Sequence, residues 1–206
     1  EFGADSIISI ALENKLKKII LVEDSPTGFL EALKVCESHN LQLIFGLRFC
    51  FCDEFSSTQK NTNSHKVIVF SRSKKGCALL NSLYTRAFTK KGGFIDGEDL
   101  KEFWPTNDLS LCIPFYDSFI YKNLFSFSSF APDLSPSSPT FFLEENGLPF
   151  DKSLREKVLS FSSANNFPTS EVQSIYYKSR KDLDAFMTYK LICSRKSFAG
   201  RSTSLE

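Results

Sequence analysis

The sequence predicts an α/β fold in which a parallel sheet is covered by helices. Helical and strand-like patterns alternate along the chain, and the first strands are continuous runs of branched apolar residues, which is typical of parallel sheets. The 206 residues suffice for one domain with a sizeable core. A content of 42% hydrophobic and 24% charged residues is ordinary for a globular protein and excludes a wholly disordered chain.

The first four predicted elements alternate strictly. A helix starts at Ser6, because the apolar residues that follow recur at intervals of three and four. Residues 19–22 form a run of four apolar residues bounded by charges, which predicts a buried strand. Ser25-Pro26 offers a capping residue followed by proline at the first position of a second helix. Residues 41–52 predict a second, longer strand.

The rest of the chain continues the alternation after a polar loop at 53–64. Strands are predicted at 65–70, 109–113, 141–143 and 168–175, and helices at 76–88, from a cap at Asp96 to 104, from a cap at Asp151, and at 183–193. Residues 126–139 contain six serines and three prolines and predict an exposed loop.

Composition excludes several classes of function. The net charge of +1 provides no global field for nucleic acid, so such binding would need a local basic patch. No apolar run reaches the length of a membrane span. Two histidines cannot build a His-rich metal centre, and six cysteines without a C-x-x-C pair are expected to be small buried residues in a reducing cytoplasm. Most of the 22 phenylalanines are expected in the core.

Several segments resemble, in the right order, motifs of one family. Leu21-Val22-Glu23-Asp24 falls where that family carries T-D-H, and residues 43–48 (LIFGLR) resemble its P-I-I-G-x-E strand. His65 with the strand after it, followed by Gly76, resembles its H-L-x-L-L-A-x-N-x-x-G block, and residues 142–144 and 168–177 resemble its last two strands. The chain therefore resembles the PHP domain (polymerase and histidinol phosphatase) of bacterial and phage family C DNA polymerases, the DNA polymerase III alpha subunit.

The resemblance implies an irregular (β/α)7 TIM-like barrel over residues 1–195, with functional groups at the carboxyl ends of the strands. It also implies that the first strand and its H-x-H motif lie upstream of the given sequence, which begins with Glu1 rather than Met, and that residues 196–206 form a mobile tail toward polymerase domains. Intact members hold several metal ions, such as zinc or manganese, and hydrolyse phosphoesters.

This chain departs from the family at the positions of the metal ligands. Those positions are Glu23, Asp24, Arg48, His65, Ser174 and Tyr176. Arg48 replaces a ligand glutamate, and a guanidinium cannot bind a metal. We therefore expect no catalytic residue and no metal here, a structural role for His65, and an ion pair between Arg48 and Glu23 or Asp24 in place of the metal. A surface position for Arg48 is the alternative.

Basic residues around the third helix are weak candidates for contact with nucleic acid or a partner. They are Arg72, Lys74, Lys75, Arg86, Lys90 and Lys91. A solvated helix face is the other interpretation of these residues.

Taken together, the sequence predicts a degenerate, metal-free PHP-like domain of a cytoplasmic DNA-directed DNA polymerase (a nucleotidyltransferase) acting in DNA replication. The parent would use magnesium at carboxylates beyond residue 206. Its partners would be the remaining polymerase domains, a proofreading exonuclease subunit or clamp, and DNA through the parent, with no membrane. The first alternative is a PHP-type metal-dependent phosphoesterase or 3'-5' exonuclease. The second is a non-catalytic α/β interaction domain, which an open sheet would favour.

Overall fold

The structure, a computed structural model, describes residues 6–56, 64–126 and 129–194. The chain divides into two units, Glu1–Val172 and Gln173–Glu206. The first unit contains the sheet and six helices of the described residues, and the second contains a short 3-10 helix (Arg180–Asp182) and the last helix. The boundary expected at 195/196, and the tail after it, lie outside the described residues.

The elements follow the predicted alternation for most of the chain. The helices are α1 (Ile7–Glu13), α2 (Phe29–Ser38), α3 (Lys74–Lys90), α4 (Gly97–Phe103), α5 (Phe119–Ser126), α6 (Asp151–Ala164) and α7 (Leu183–Ser194). The strands are β1 (Lys18–Glu23), β2 (Gln42–Phe51), β3 (His65–Ser71), β4 (Phe94–Ile95), β5 (Leu109–Ile113), β6 (Thr140–Leu143) and β7 (Thr169–Glu171). The sequence did not predict α5 and β4.

The α/β class is confirmed, but the expectation of an all-parallel sheet is wrong at β3. The described strands lie in the order β1-β2-β3-β5-β6-β7, with β4 beside β2, and β3 runs antiparallel to both of its neighbours. If β3 were parallel to β2, a crossover element that packs on the sheet would have to connect them. The polar connection 52–64 has no helical pattern of apolar residues that could pack there. Since β1 and β7 are the terminal strands of this order, the described residues do not show a closed barrel.

The main core lies on one face of the sheet. Alternate residues of β2, namely Leu47, Phe49 and Phe51, are each 1% exposed and join Val67 and Val69 of β3 in one cluster. Helix α3 contributes its buried leucines to the same cluster, and α6 closes it beside β6. A second, smaller cluster unites α1, α2 and β1, through Ile8, Ala11, Ile19, Cys36 and Leu41. Residues of even number in β2, including Arg48, therefore point away from the main core.

Three local expectations are corrected around the first strands. β1 is not buried on both faces, because it is a terminal strand and Ile20 is 58% exposed. Helix α2 begins at Phe29 rather than after Ser25, since Gly28 with φ of 83° occupies the capping position. The Ser25 hydroxyl instead accepts a hydrogen bond from the backbone N–H of Thr27, which makes a turn before the helix.

Further corrections concern the second half of the unit. The segment 126–139 is not wholly exposed, because Leu134 packs into the main core. Asp151 is the first residue of α6 rather than its cap, and its carboxylate accepts from the N–H groups of Asn146 and Leu148. Strand β7 spans three residues rather than the predicted eight.

The cysteines only partly match the expectation of burial. Cys36, Cys52 and Cys112 are buried, Cys50 is half-buried, and Cys77 is exposed. These five are free thiols, and the side chain of Cys193 lies outside the described residues. Burial raises the pKa of Cys112 to about 11, so this thiol is neutral and unreactive at neutral pH.

Gly76 is required where α3 begins beside β5. A Cβ at this position would lie 2.2 Å from the backbone oxygen of Asp108, which cannot move away because it accepts a hydrogen bond from the N–H of Arg72. We expect Gly76→Ala to destabilise the fold by about 2–3 kcal/mol, measured by urea unfolding. Gly97→Ala is the matched control, since its Cβ would stay 3.5 Å from the nearest atom. Equal losses in the two variants would contradict this account.

Candidate functional site

The register of β1 and β2 brings Asp24 beside Arg48. The two strands pair in parallel from Lys18 opposite Gln42 to Glu23 opposite Leu47, and the same offset places Asp24 opposite Arg48. Arg48 Nε lies 3.8 Å from Asp24 Oδ1. The predicted contact between Arg48 and an acid at the end of β1 is therefore confirmed for Asp24.

The two partners differ in their exposure to solvent. The Arg48 side chain is 19% exposed, whereas that of Asp24 is 74% exposed, and Arg48 makes further interactions besides this pair. An exposed ion pair of this kind contributes at most about 1 kcal/mol to stability. Its consequence is electrostatic: the Arg48 guanidinium places a permanent positive charge beside the Asp24 carboxylate. Glu23 lies next in sequence, opposite Leu47, and is exposed.

His65 lies on the other face of the sheet from Arg48. It pairs in register with Phe51 and shares the core face with it, and its side chain is 1% exposed. Its ring centroid lies 5.2 Å from that of Phe51, 5.3 Å from that of Phe119 and 6.2 Å from that of Phe130. Neither imidazole nitrogen has a hydrogen-bond partner among the described residues. The structure thus does not bring His65 together with Asp24 and Arg48.

The surroundings of His65 keep its imidazole neutral. Burial, with a smaller contribution from the positive charge of Lys122, lowers the pKa of His65 to about 3. The Lys122 ammonium donates a hydrogen bond to the backbone oxygen of Ser64, immediately before β3.

Ser174 and Tyr176 belong to the second unit of the chain. Tyr176 stacks on Phe186 of α7, with ring centroids 5.4 Å apart and an interplanar angle of 29°. Tyr177 contacts the same ring at 5.6 Å. Within this unit Tyr176 therefore packs against the last helix.

Lys91, one of the basic candidates, is the centre of a buried ionic network. Its Nζ lies 2.6 Å from Asp96 Oδ2 and 2.8 Å from Asp99 Oδ2, and all three residues are buried. Asp96 caps α4, and Asp99 completes a reciprocal capping box by accepting from the backbone N–H of Asp96. The Lys91 ammonium thus fixes the start of α4 against the end of α3.

Arg86 extends this network toward the surface. Its Nε lies 2.9 Å from Asp99 Oδ1, it also pairs with Glu102, and its guanidinium lies 5.8 Å above the Phe103 ring. Desolvation raises the pKa of Asp99 even though Lys91 opposes that shift. For Lys91, desolvation lowers the pKa but the hydrogen bonds to the two aspartates outweigh it, so the net shift is upward.

The other basic candidates lie at the ends of α3. Lys75 Nζ is 3.5 Å from Asp108 Oδ2, and Arg72 donates to the Ser110 hydroxyl at 3.2 Å. Lys74 and Lys90 are exposed. The six basic residues therefore do not form one continuous patch, because two of them belong to the buried network.

Sequence reasoning missed a second buried polar group at the ends of β5 and β6. The Tyr116 hydroxyl donates to Asp151 Oδ1 at 2.9 Å and accepts from Asn146 Nδ2 at 3.1 Å. The same amide lies 3.4 Å from Glu144 Oε2. Tyr116 and Asp151 are 35 residues apart, so their contact depends on the tertiary fold and no local sequence pattern reveals it. Desolvation raises the pKa of Tyr116, which stays protonated and serves as a donor.

Among residues 6–56, 64–126 and 129–194, no group of three or more His, Cys, Asp and Glu side chains is arranged to hold a metal ion. None of the helices in the same ranges is both long enough and apolar enough to cross a bilayer.

Comparison with solved structures finds 18 similar chains. The chain is similar to a crystal structure from Bifidobacterium adolescentis described as a "putative metal-dependent phosphoesterase". The TM-score is 0.37 at 12% sequence identity, over 94% of this chain and 91% of that one. No family model matches the sequence, and no curated protein matches it. A likeness of this strength assigns neither an activity nor a family.

Proposed function

We propose that this chain is a degenerate PHP-like domain of a family C replicative DNA polymerase, the DNA polymerase III alpha subunit, and that its own role is structural. The observation that carries the proposal is the Arg48–Asp24 ion pair. The pair joins two positions at which the resemblance implies metal ligands. Asp24 belongs to the segment that falls at T-D-H, and Arg48 replaces a ligand glutamate. In this proposal the domain is a cytoplasmic, metal-free scaffold that supports the remaining polymerase domains and a proofreading exonuclease subunit or clamp.

Charge balance explains why an arginine suits this position. Carboxylates gathered at strand ends repel one another unless a cation compensates them. In a hydrolytic relative that cation is a metal, which also activates water. A guanidinium supplies permanent positive charge and hydrogen-bond donors but has no lone pair for a metal and no activated water. The exchange of glutamate for arginine therefore retains the local fold and removes the hydrolytic chemistry.

Reversing the charge of Arg48 tests the proposal directly. We expect Arg48→Glu to bind Mn²⁺ at least about tenfold more tightly than the unaltered chain, because a second carboxylate beside Asp24 replaces the competing cation. Arg48→Gln, which removes the charge without adding a ligand, is the matched control and should gain little. The measurement is titration calorimetry with Mn²⁺, then repeated with Zn²⁺. Stoichiometric metal binding and chelator-sensitive phosphoester hydrolysis by the unaltered chain would instead establish a phosphoesterase.

The open strand order favours a second candidate, a non-catalytic α/β interaction domain outside replication. Among the described residues β1 and β7 are terminal strands, whereas in a closed barrel every strand has a neighbour on both sides. The reading frame downstream of Glu206 distinguishes the two candidates. A polymerase palm with paired aspartates supports the replicative scaffold, and an unrelated domain supports the interaction module.

A further inference from the structure

The loop between β6 and α6 contains the only asparagine of the sequence that precedes a glycine, in the dipeptide Asn146-Gly147. Both residues are exposed. Gly147 has φ of 73°, and a Cβ placed on it would meet nothing within 4 Å. The surrounding chain therefore leaves this dipeptide uncovered, and the absence of a side chain on Gly147 lets the backbone turn easily.

The backbone N–H groups around this dipeptide differ in what they bond. Those of Asn146 and Leu148 donate to the same carboxylate oxygen of Asp151, at 2.9 Å and 3.0 Å. The N–H of Gly147 between them has no acceptor among the described residues. The loop is thus anchored on both sides of a backbone nitrogen that stays accessible.

The Asn146 side chain is held only through its amide nitrogen. Nδ2 donates to the Tyr116 hydroxyl at 3.1 Å and lies 3.4 Å from Glu144 Oε2, and both distances are long for N–H···O bonds. The carbonyl oxygen of the same amide has no donor among the residues that the structure describes. The amide carbon can therefore turn toward the Gly147 nitrogen after only two weak contacts are broken.

We propose that Asn146 is a site of spontaneous deamidation. The backbone nitrogen of Gly147 attacks Cγ of Asn146, so that a new C–N bond forms and the bond between Cγ and Nδ2 breaks. Nδ2 leaves as ammonia with the proton that the Gly147 nitrogen loses. Water then opens the resulting succinimide at one of its two carbonyls, which leaves either aspartate or isoaspartate. Water is the only co-reactant, and nothing is oxidised or reduced.

The product disturbs the buried polar group at the ends of β5 and β6. Glu144 and Asp151 are 4% and 6% exposed, so a third carboxylate beside them is repelled where water screens charge poorly. The Tyr116 hydroxyl also loses the amide that donates to it. Isoaspartate further adds one carbon to the main chain between β6 and α6. Deamidation of Asn146 therefore loosens the start of α6.

Peptide mapping of the folded chain during incubation at pH 8 tests the chemical step. We expect aspartate and isoaspartate to accumulate at Asn146 at least about tenfold faster than at Asn81, which lies within α3, where helical hydrogen bonds hold the next N–H. Labelling by an isoaspartyl methyltransferase identifies the isomer. Asn146→Gln is the matched control and should form no such product, because its longer side chain would have to close a larger, less favourable ring.

Conversion at Asn146 that is no faster than at Asn81 overturns the proposal. So does conversion that occurs only after the chain is unfolded in urea, because the folded loop would then protect the amide.

The product variant Asn146→Asp tests the effect on the fold. At pH 7 we expect its unfolding equilibrium constant to be at least about tenfold larger than that of the unaltered chain, because the new carboxylate lies beside Glu144. Asn81→Asp adds the same charge at an exposed position of α3 and should change that constant less than about threefold. Urea unfolding measures both variants. An Asn146→Asp chain as stable as the unaltered one overturns the proposed loosening of α6.

Discussion

Lys91→Met is expected to lower the free energy of unfolding by about 3–5 kcal/mol. The substitution retains most of the buried stem but removes the ammonium that lies 2.6 Å from Asp96 and 2.8 Å from Asp99. Two buried carboxylates would then face each other with only Arg86 as compensation. Desolvation already raises the pKa of Asp99, so loss of the cation would favour a protonated carboxyl there.

Urea unfolding at pH 7 measures this loss, with Lys90→Met as the matched control because the Lys90 side chain is exposed. We expect Lys91→Met/Asp99→Asn to be less destabilised than the sum of its single variants, since removing one carboxylate also removes the repulsion. A loss below about 1 kcal/mol for Lys91→Met would show that the network contributes no more than a surface ion pair.

This network illustrates the limit of prediction from the sequence. The pattern predicted that Asp96 starts a helix, because a capping residue followed by an apolar pattern is a local signal. No such local signal exists for Lys91, which was grouped with the basic residues expected at the surface around the third helix. Its burial depends on how α3 and α4 pack together, and no local spacing records that.

The sheet shows the same division between local and non-local information. The apolar pattern predicted β2 and β5 to within one residue, because most residues of each strand are apolar. The antiparallel direction of β3 was not predicted, since it follows from what packs between β2 and β3 rather than from the strand itself. The pairing of Asp24 with Arg48 was foreseen from aligned motifs, whereas its geometry required the register of β1 and β2.

His65 is expected to make the fold unstable in mild acid. In the folded state burial holds its pKa at about 3, against an ordinary value of 6.5. Between these values the unfolded chain binds a proton that the folded chain does not. The stability that the neutral imidazole contributes is thus fully present above pH 6.5. It falls by about 1.4 kcal/mol per pH unit as the pH drops below that value, and the loss levels off near pH 3.

His65→Phe isolates this effect, because a phenyl ring suits a site formed by Phe51, Phe119 and Phe130 and has no nitrogen to protonate. At pH 7 we expect the variant to be as stable as the parent or more so, since it also removes two unpartnered buried nitrogens. At pH 5 the parent should have lost about 2 kcal/mol more than the variant. His39→Gln removes the other histidine of the chain and is the matched control.

Parallel stability curves for the parent and His65→Phe between pH 7 and pH 5 would mean that the imidazole reaches solvent or a partner in the folded protein. The proposed burial of His65 in the aromatic core would then be incorrect.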